Sequence, residues 1–134
     1  AGAEDAIKRE EIEELARPYR DRVKLHLSFL TDEEFEMAIQ AVDAIVLPYR
    51  KTFNGASGPL GEGVAKGKII IAANHGSLGD IVGYTFESEN IEALKKVLNM
   101  AIQRTNYTYD EKANAYKNKL SINEFKKQYC KLYF

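Results

Sequence analysis

A glycine-containing loop that ends in a serine at a predicted helix start is the feature of this sequence best suited to bind a phosphate. Ser57 can cap the following helix, and Gly58 lets a ligand approach the backbone closely. Unpaired N–H groups and the helix dipole attract anions at such a turn. Pro59 has no N–H group, so the predicted amide donors are those of Gly58, Leu60 and Gly61. We expect Ser57, Gly58 and Leu60 to contact the pyrophosphate of a bound nucleotide.

A carboxylate follows this turn at a useful offset. Glu62 lies five residues beyond Ser57, which is about 7 Å along a helix that rises 1.5 Å per residue. At that distance the carboxylate can reach sugar hydroxyls while the turn holds phosphates, so one nucleotide would bridge both. Acidic residues near helix starts and glycine-serine turns also occur without any ligand. Spacing alone leaves both interpretations open.

Other residues near the same loops are candidates for this site. Gly55 allows close backbone approach, and Arg50 with Lys51 can supply charge to a diphosphate or form a solvated basic pair. His75 follows a predicted strand and can donate a hydrogen bond to a ligand or to its own loop. The sequence contains no ligand cluster that calls for a metal, and we predict none.

Predicted strands place these loops at one edge of a sheet. Residues 43–48 and 68–73 are short and apolar, as is typical of parallel strands covered on both faces, and residues 84–86 predict a last short strand. In residues 23–29 apolar and polar side chains alternate, which predicts a further strand near a sheet edge. Ligands collect at the carboxyl ends of the strands in such sheets.

Helical patterns separate and follow the strands. Apolar periodicity over residues 12–19 predicts a first helix, which we expect to end at Pro18. Further helices are predicted over residues 58–66, 91–101, 109–120 and 122–132. Capping pairs mark two helix starts, Thr31 with Glu34 and Ser121 with Glu124. The alternation predicts one α/β domain over residues 1–134, with a Rossmann-like three-layer arrangement. Its sheet is mostly parallel, helices cover both faces, and extra helices lie at the C-terminus.

Composition excludes several classes of function. Nineteen Lys and Arg against twenty Asp and Glu give a net charge of -1, so no global positive field favours nucleic acid. Cys130 is the only cysteine, which excludes an intramolecular disulfide and a cysteine-based zinc site. The longest apolar runs are far shorter than the roughly 20 residues of a membrane-spanning helix. We expect a cytoplasmic protein.

Two segments carry a resemblance to a known family. Residues 43–50, DAIVLPYR, and 56–72, ASGPLGEGVAKGKIIIA, resemble the donor-binding half of family 4 retaining glycosyltransferases with the two-domain GT-B fold. The similarity continues through residues 75–82, HGSLGDIV, and more weakly over nearly the whole chain. The resemblance implies transfer of a sugar from a nucleotide diphosphate donor to an acceptor, with retention. The donor is a substrate, and no cofactor is implied.

The resemblance also assigns roles to individual residues. The family uses two glutamates separated by seven residues, and their positions here are Asn54 and Glu62. Glu62 is thereby implied to hold the ribose. Asn54, the catalytic candidate near the transferred sugar, can form hydrogen bonds but carries no charge. Gly63 and Ile69 stand where the family commonly has Ala and Pro, and we expect these changes to affect packing rather than chemistry.

The matched region is only part of such an enzyme. It starts after the family's first strand of this domain, and it lacks both the upstream Arg/Lys motif and the acceptor-binding domain. We therefore expect a fragment of a longer enzyme, inactive alone, with membrane-peripheral attachment an option for the full chain. The alternative is a noncatalytic nucleotide-binding or protein-interaction domain with the same fold. The apolar stripe of the last helix is a candidate surface for self-association: Phe125, Tyr129, Leu132 and Tyr133.

Overall fold

The computed structural model describes residues 7–103, 111–119 and 121–133. The chain divides into two compact units between Ala38 and Ile39. The helices and strands, in chain order, are α1 Arg9–Ala16, α2 Asp32–Ala41, β1 Ala44–Leu47, α3 Gly58–Ala65, β2 Ile69–Ala73, α4 Gly76–Ile81, β3 Tyr84–Phe86, α5 Ile91–Gln103, α6 Glu111–Lys119 and α7 Ile122–Tyr133. No described helix is both long enough and apolar enough to cross a membrane.

The first unit contains α1, a short 3-10 helix and most of α2. The 3-10 helix, Arg17–Tyr19, carries Pro18 in its first turn, so the α-helical hydrogen bonding ends there as the sequence predicts. One guanidinium nitrogen of Arg9 donates to the carbonyl oxygen of Leu27 at 2.9 Å. This bond fixes part of the irregular segment that follows the 3-10 helix.

The predicted capping box at the start of α2 is confirmed. The Glu34 amide donates to Thr31 Oγ1 at 3.2 Å, and the Thr31 amide donates to Glu34 Oε2 at 2.9 Å. The pKa of Glu34 is lowered, chiefly because its carboxylate accepts the Thr31 amide and secondly because it accepts the Thr31 hydroxyl. The capping box joins residues three positions apart, so it could be predicted from the sequence alone.

The strand predicted over residues 23–29 is wrong. The described part of the chain forms a three-stranded sheet of β1, β2 and β3, and residues 23–29 do not belong to it. Val23, Leu25 and Phe29 are 41, 42 and 85% exposed, so the apolar side of the alternation is not covered. Alternation favours a strand only when a partner supplies hydrogen bonds and a surface covers the apolar face.

The second unit is built on a parallel sheet in the order β1-β2-β3. Register pairs Ile45 with Ile70 and Ala73 with Phe86. Helices α3 and α4 connect these strands in sequence, which is the βαβ alternation expected of an α/β fold. The predicted fold class is thereby confirmed, with α6 and α7 as the extra C-terminal helices.

Helices cover opposite faces of the sheet. On one face α3 contacts β1 and β2, where Gly63 lies directly over the side chains of Ile45 and Ile70. On the other face, α5 packs its apolar side on Ile71 and Phe86. β2 is buried from its second residue onward, as predicted. The prediction that β1 is covered on both faces is wrong, because the face containing Val46, at 38% exposure, is not fully covered.

Two lysines of α6 attach that helix to the ends of earlier helices. Lys117 Nζ donates to the carbonyl oxygen of Ala65 at 2.7 Å, and Lys112 Nζ donates to that of Gly79 at 2.7 Å. Cations are favourable at helix C-termini because the last carbonyls lack partners within the helix. The bond to Ala65 therefore helps to fix α3, the helix that begins at the candidate phosphate turn.

The C-terminal predictions are met where they can be compared. Ser121 caps α7, with the Glu124 amide donating to its Oγ at 3.2 Å. Tyr109 and Leu120, the ends of the preceding helical pattern, lie outside the described residues. The same holds for the side chains of the stripe proposed for self-association: Phe125, Tyr129, Leu132 and Tyr133.

Candidate functional site

The loops after β1, β2 and β3 lie at the same edge because the three strands are parallel. Hydrogen bonds join these loops directly. Ser88 Oγ donates to the Tyr49 carbonyl oxygen at 2.8 Å, and His75 Nε2 is 3.2 Å from the Phe53 carbonyl oxygen. Because a carbonyl only accepts, the His75 tautomer with a proton on Nε2 is the one that satisfies this contact.

The start of α3 has the capping arrangement that the sequence predicts. Ser57 has an extended backbone, and its Oγ accepts the Leu60 amide at 3.2 Å. The Gly61 amide donates to the Ser57 carbonyl oxygen at 3.1 Å. Two of the three predicted phosphate donors are therefore already used within the protein. Treating Leu60 and Gly61 as free donors is wrong, because the cap and the first helical bond claim their N–H groups.

The Gly58 amide is the remaining predicted donor. Among the residues that the structure describes, no acceptor meets this N–H group, and Gly58 is exposed. A Cβ atom built on Gly58 would have no heavy atom within 4 Å, so the space beside its backbone is open. A ligand oxygen can therefore approach the helix start at this residue.

Tyr49 connects the cap to the rest of the loop. Its hydroxyl oxygen lies 3.1 Å from Ser57 Oγ, and its ring stacks on Phe53 with centroids 4.2 Å apart and planes at 30°. Gly55 lies close to the same ring, since a Cβ there would be 3.4 Å from the Phe53 side chain. The glycine thus allows the loop to pass closely over Phe53.

Glu62 and Asn54, the two positions implied by the resemblance, are both exposed. Neither side chain has a hydrogen bond or ion pair with another described residue, so both are free to contact a ligand. Glu62 lies in α3 immediately before Gly63, which faces the sheet, and it is held at a defined position on the helix. Asn54 is in the loop and has no such support. Arg50 is exposed in the same loop.

His75 has a different partner from the two that the sequence suggested. Its ring contacts the carbonyl of Phe53, which belongs to the loop after β1, rather than a partner in its own loop. Its Nδ1 atom is buried and, within the described part of the chain, has no hydrogen-bond partner. In this conformation His75 fixes the position of the neighbouring loop, and its buried nitrogen is not accessible to a ligand.

A shallow cavity beside this edge was missed from the sequence. It has a volume of about 460 Å³ and is lined by Lys51 and residues 87–92. Asn90 shapes its wall by capping α5, accepting the Ala93 amide at 3.0 Å and donating to Glu87 Oε2 at 2.8 Å. An asparagine three residues before the first partly buried residues of the predicted helix, Ala93 and Leu94, was the available signal.

Sequence comparison assigns no family to this chain. No protein-family model matches it, and no curated protein shows significant sequence similarity to it.

Proposed function

We propose that this chain is the nucleotide-sugar-binding part of a retaining glycosyltransferase. The observation that carries the proposal is the start of α3, where an exposed Gly58 amide and the Ser57 cap precede the exposed carboxylate of Glu62. This start lies at the carboxyl ends of a parallel sheet, where α/β proteins bind their ligands. The sequence resemblance supplies the reaction class.

Fewer donors remain at this turn than the sequence predicted. The Gly58 amide and the Ser57 hydroxyl remain for a ligand, whereas the amides of Leu60 and Gly61 are used within the protein. The helix dipole and the Arg50 side chain from the same loop add favourable charge. Each hydrogen bond to a charged oxygen contributes about 1.5–3 kcal/mol. Two or three such contacts are enough to orient a diphosphate.

The same donors would assist sugar transfer in the longer enzyme. Negative charge builds on the diphosphate as the bond to the sugar breaks, and fixed N–H and O–H donors stabilise that charge without reorganising. Glu62 would hold the ribose, and Asn54 would contact the transferred sugar through its amide. The acceptor would bind to the domain that the resemblance places upstream.

Titration calorimetry with UDP and GDP tests the proposal. Glu62→Ala removes hydrogen bonds to the ribose, so we expect its affinity for the preferred nucleotide to fall about 10- to 100-fold. Glu33→Ala, which removes an exposed glutamate from the first turn of α2, is the matched control. The wild-type protein should bind the 2′-deoxy nucleotide more weakly than the ribonucleotide. Glu62→Ala should bind the two nucleotides equally, because it has already lost the contact to the ribose. Equal affinities of wild type and Glu62→Ala would contradict the ribose assignment.

A noncatalytic nucleotide-binding or interaction domain is the second candidate. Asn54 favours it, because the family's charged residue is missing at the position nearest the transferred sugar. Comparison of UDP-glucose with UDP separates the two candidates. Under the sugar-transfer proposal, Asn54→Ala weakens binding of the nucleotide sugar and leaves binding of UDP unchanged. If the variant binds both ligands as the wild type does, the noncatalytic candidate is favoured.

A further inference from the structure

The hydroxyl of Ser57 has two close partners inside the protein. The Leu60 amide donates to its Oγ from 3.2 Å, and the Tyr49 hydroxyl lies 3.1 Å away. A serine hydroxyl accepts two hydrogen bonds and donates one. The direction of the Tyr49–Ser57 bond therefore decides whether the serine proton is used internally or remains for a ligand.

Acidity and the available partners favour the phenol as the donor in this pair. A phenolic proton is more acidic than the proton of an aliphatic hydroxyl, so the tyrosine is the stronger donor of the two. Within the described residues, Tyr49 Oη has no partner except Ser57 Oγ, so the reverse direction would leave the phenolic proton of this half-buried side chain without an acceptor among them. With the phenol donating, both acceptor positions of Ser57 are filled, and its proton is free.

We infer that Tyr49 is a positioning residue, which donates its hydroxyl proton to Ser57 and so presents the serine proton to the diphosphate beside the Gly58 amide. This inference rests on the proposed function and specifies how the site recognises its anion. Tyr49 touches no ligand atom in this scheme. It acts through Ser57, and the pair supplies a side-chain donor where the Leu60 amide is already engaged.

Tyr49 is itself held firmly, which the role requires. Its carbonyl accepts the hydroxyl of Ser88, a residue only 5% exposed. Its ring stacks on Phe53, and the Phe53 carbonyl contacts His75. The loops after β2 and β3 thus restrain both ends of the segment from Tyr49 to Phe53. The serine proton is oriented before the ligand arrives, so little ordering cost remains for binding.

Removal of the phenolic hydroxyl tests the inference. Tyr49→Phe keeps the ring on Phe53 and deletes only the donor to Ser57. We expect UDP to bind this variant about three- to tenfold more weakly, as one neutral hydrogen bond predicts. Uridine, which lacks the diphosphate, should bind the variant and the wild type equally. Tyr19→Phe, at an exposed tyrosine of the 3-10 helix, is the matched control and should bind UDP as the wild type does.

A double-mutant cycle with Ser57 separates positioning from a general structural effect. Because Tyr49 acts through Ser57, Tyr49→Phe should weaken UDP binding no further once Ser57→Ala is present. Ser57→Thr keeps the hydroxyl and should retain the dependence on Tyr49. Thermal unfolding of each variant verifies that it is folded, and the Ser57→Thr pair repeats the test if Ser57→Ala is not.

Three results would overturn the inference. They are unchanged UDP affinity in Tyr49→Phe, an equal loss for UDP and uridine, and a loss that adds in full to that of Ser57→Ala. A wild-type protein that binds neither UDP nor GDP would remove the proposed function together with this inference. If the wild-type protein binds UDP and Tyr49→Phe binds it with the same affinity, only this inference is overturned.

Discussion

Replacement of Gly63 by alanine should show how tightly α3 packs on the sheet. A Cβ at this position would lie 2.6 Å from Ile45 Cδ1 and 3.0 Å from Ile70 Cδ1. The first distance is about 1 Å shorter than a favourable carbon–carbon contact. Ile70 is fully buried and Ile45 is 9% exposed, so neither side chain has much room to move.

The magnitude follows from two opposing effects. Overpacking a filled core costs about 1–3 kcal/mol. Alanine gains about 0.8–1 kcal/mol over glycine in a helix interior. Gly61→Ala in the same helix isolates the second effect, because a Cβ there has no neighbour within 4 Å. We expect Gly61→Ala to be more stable than the wild type. The free energy of unfolding of Gly63→Ala should be about 1–3 kcal/mol lower than that of Gly61→Ala.

Denaturant unfolding measures both variants, and a partner substitution tests the cause. Ile45→Val removes the Cδ1 atom that clashes and alone costs about 0.5–1.5 kcal/mol. Combined with Gly63→Ala it should cost less than the sum of the two single changes, because the valine makes room for the new methyl group. Equal stabilities of Gly61→Ala and Gly63→Ala would refute the close packing of α3 against β1 and β2.

Two further predictions concern a cap and a loop. The pKa of Glu34 is lowered by its bonds to Thr31, so the stability of the cap is present above the unfolded pKa and is lost as pH falls through the folded pKa. Denaturant unfolding across acidic pH should show a smaller decrease in stability for Glu34→Gln than for wild type, and an identical decrease would contradict this. His75→Ala should lose about 1 kcal/mol by leaving the Phe53 carbonyl without its donor, while His75→Gln should recover part of it. Equal unfolding free energies for the two variants would argue against the hydrogen bond.

Features that depend on near neighbours in the chain were predictable. The Thr31–Glu34 box, the Ser57 cap and the Ser121 cap each join residues three positions apart, and all three are present. Gly67 follows the end of α3, as the sequence predicts. Its φ of 66° is a conformation that glycine adopts without the strain that other residues incur. The apolar runs that became β1 and β2 were equally clear.

The errors arose where distant parts of the chain compete. The pattern of residues 23–29 is that of a strand, but a strand forms only with a hydrogen-bonding partner, and the sequence does not say whether one is available. The burial of β1 also depends on a distant part of the chain, because α5 covers this face of the sheet. α5 packs on β2 and β3 and leaves Val46 of β1 partly exposed.

The candidate site shows the same division. Residue order by itself determined that Ser57, Gly58 and Glu62 come at the start of a helix after a buried strand, because capping and apolar periodicity are local properties. Only the tertiary structure decided that the Tyr49 hydroxyl reaches Ser57 Oγ and that the His75 ring contacts the Phe53 carbonyl oxygen. Each of these contacts depends on side-chain directions or on loops brought together by strand pairing, and a hydrogen-bond donor is available to a ligand only if the folded chain has not already used it.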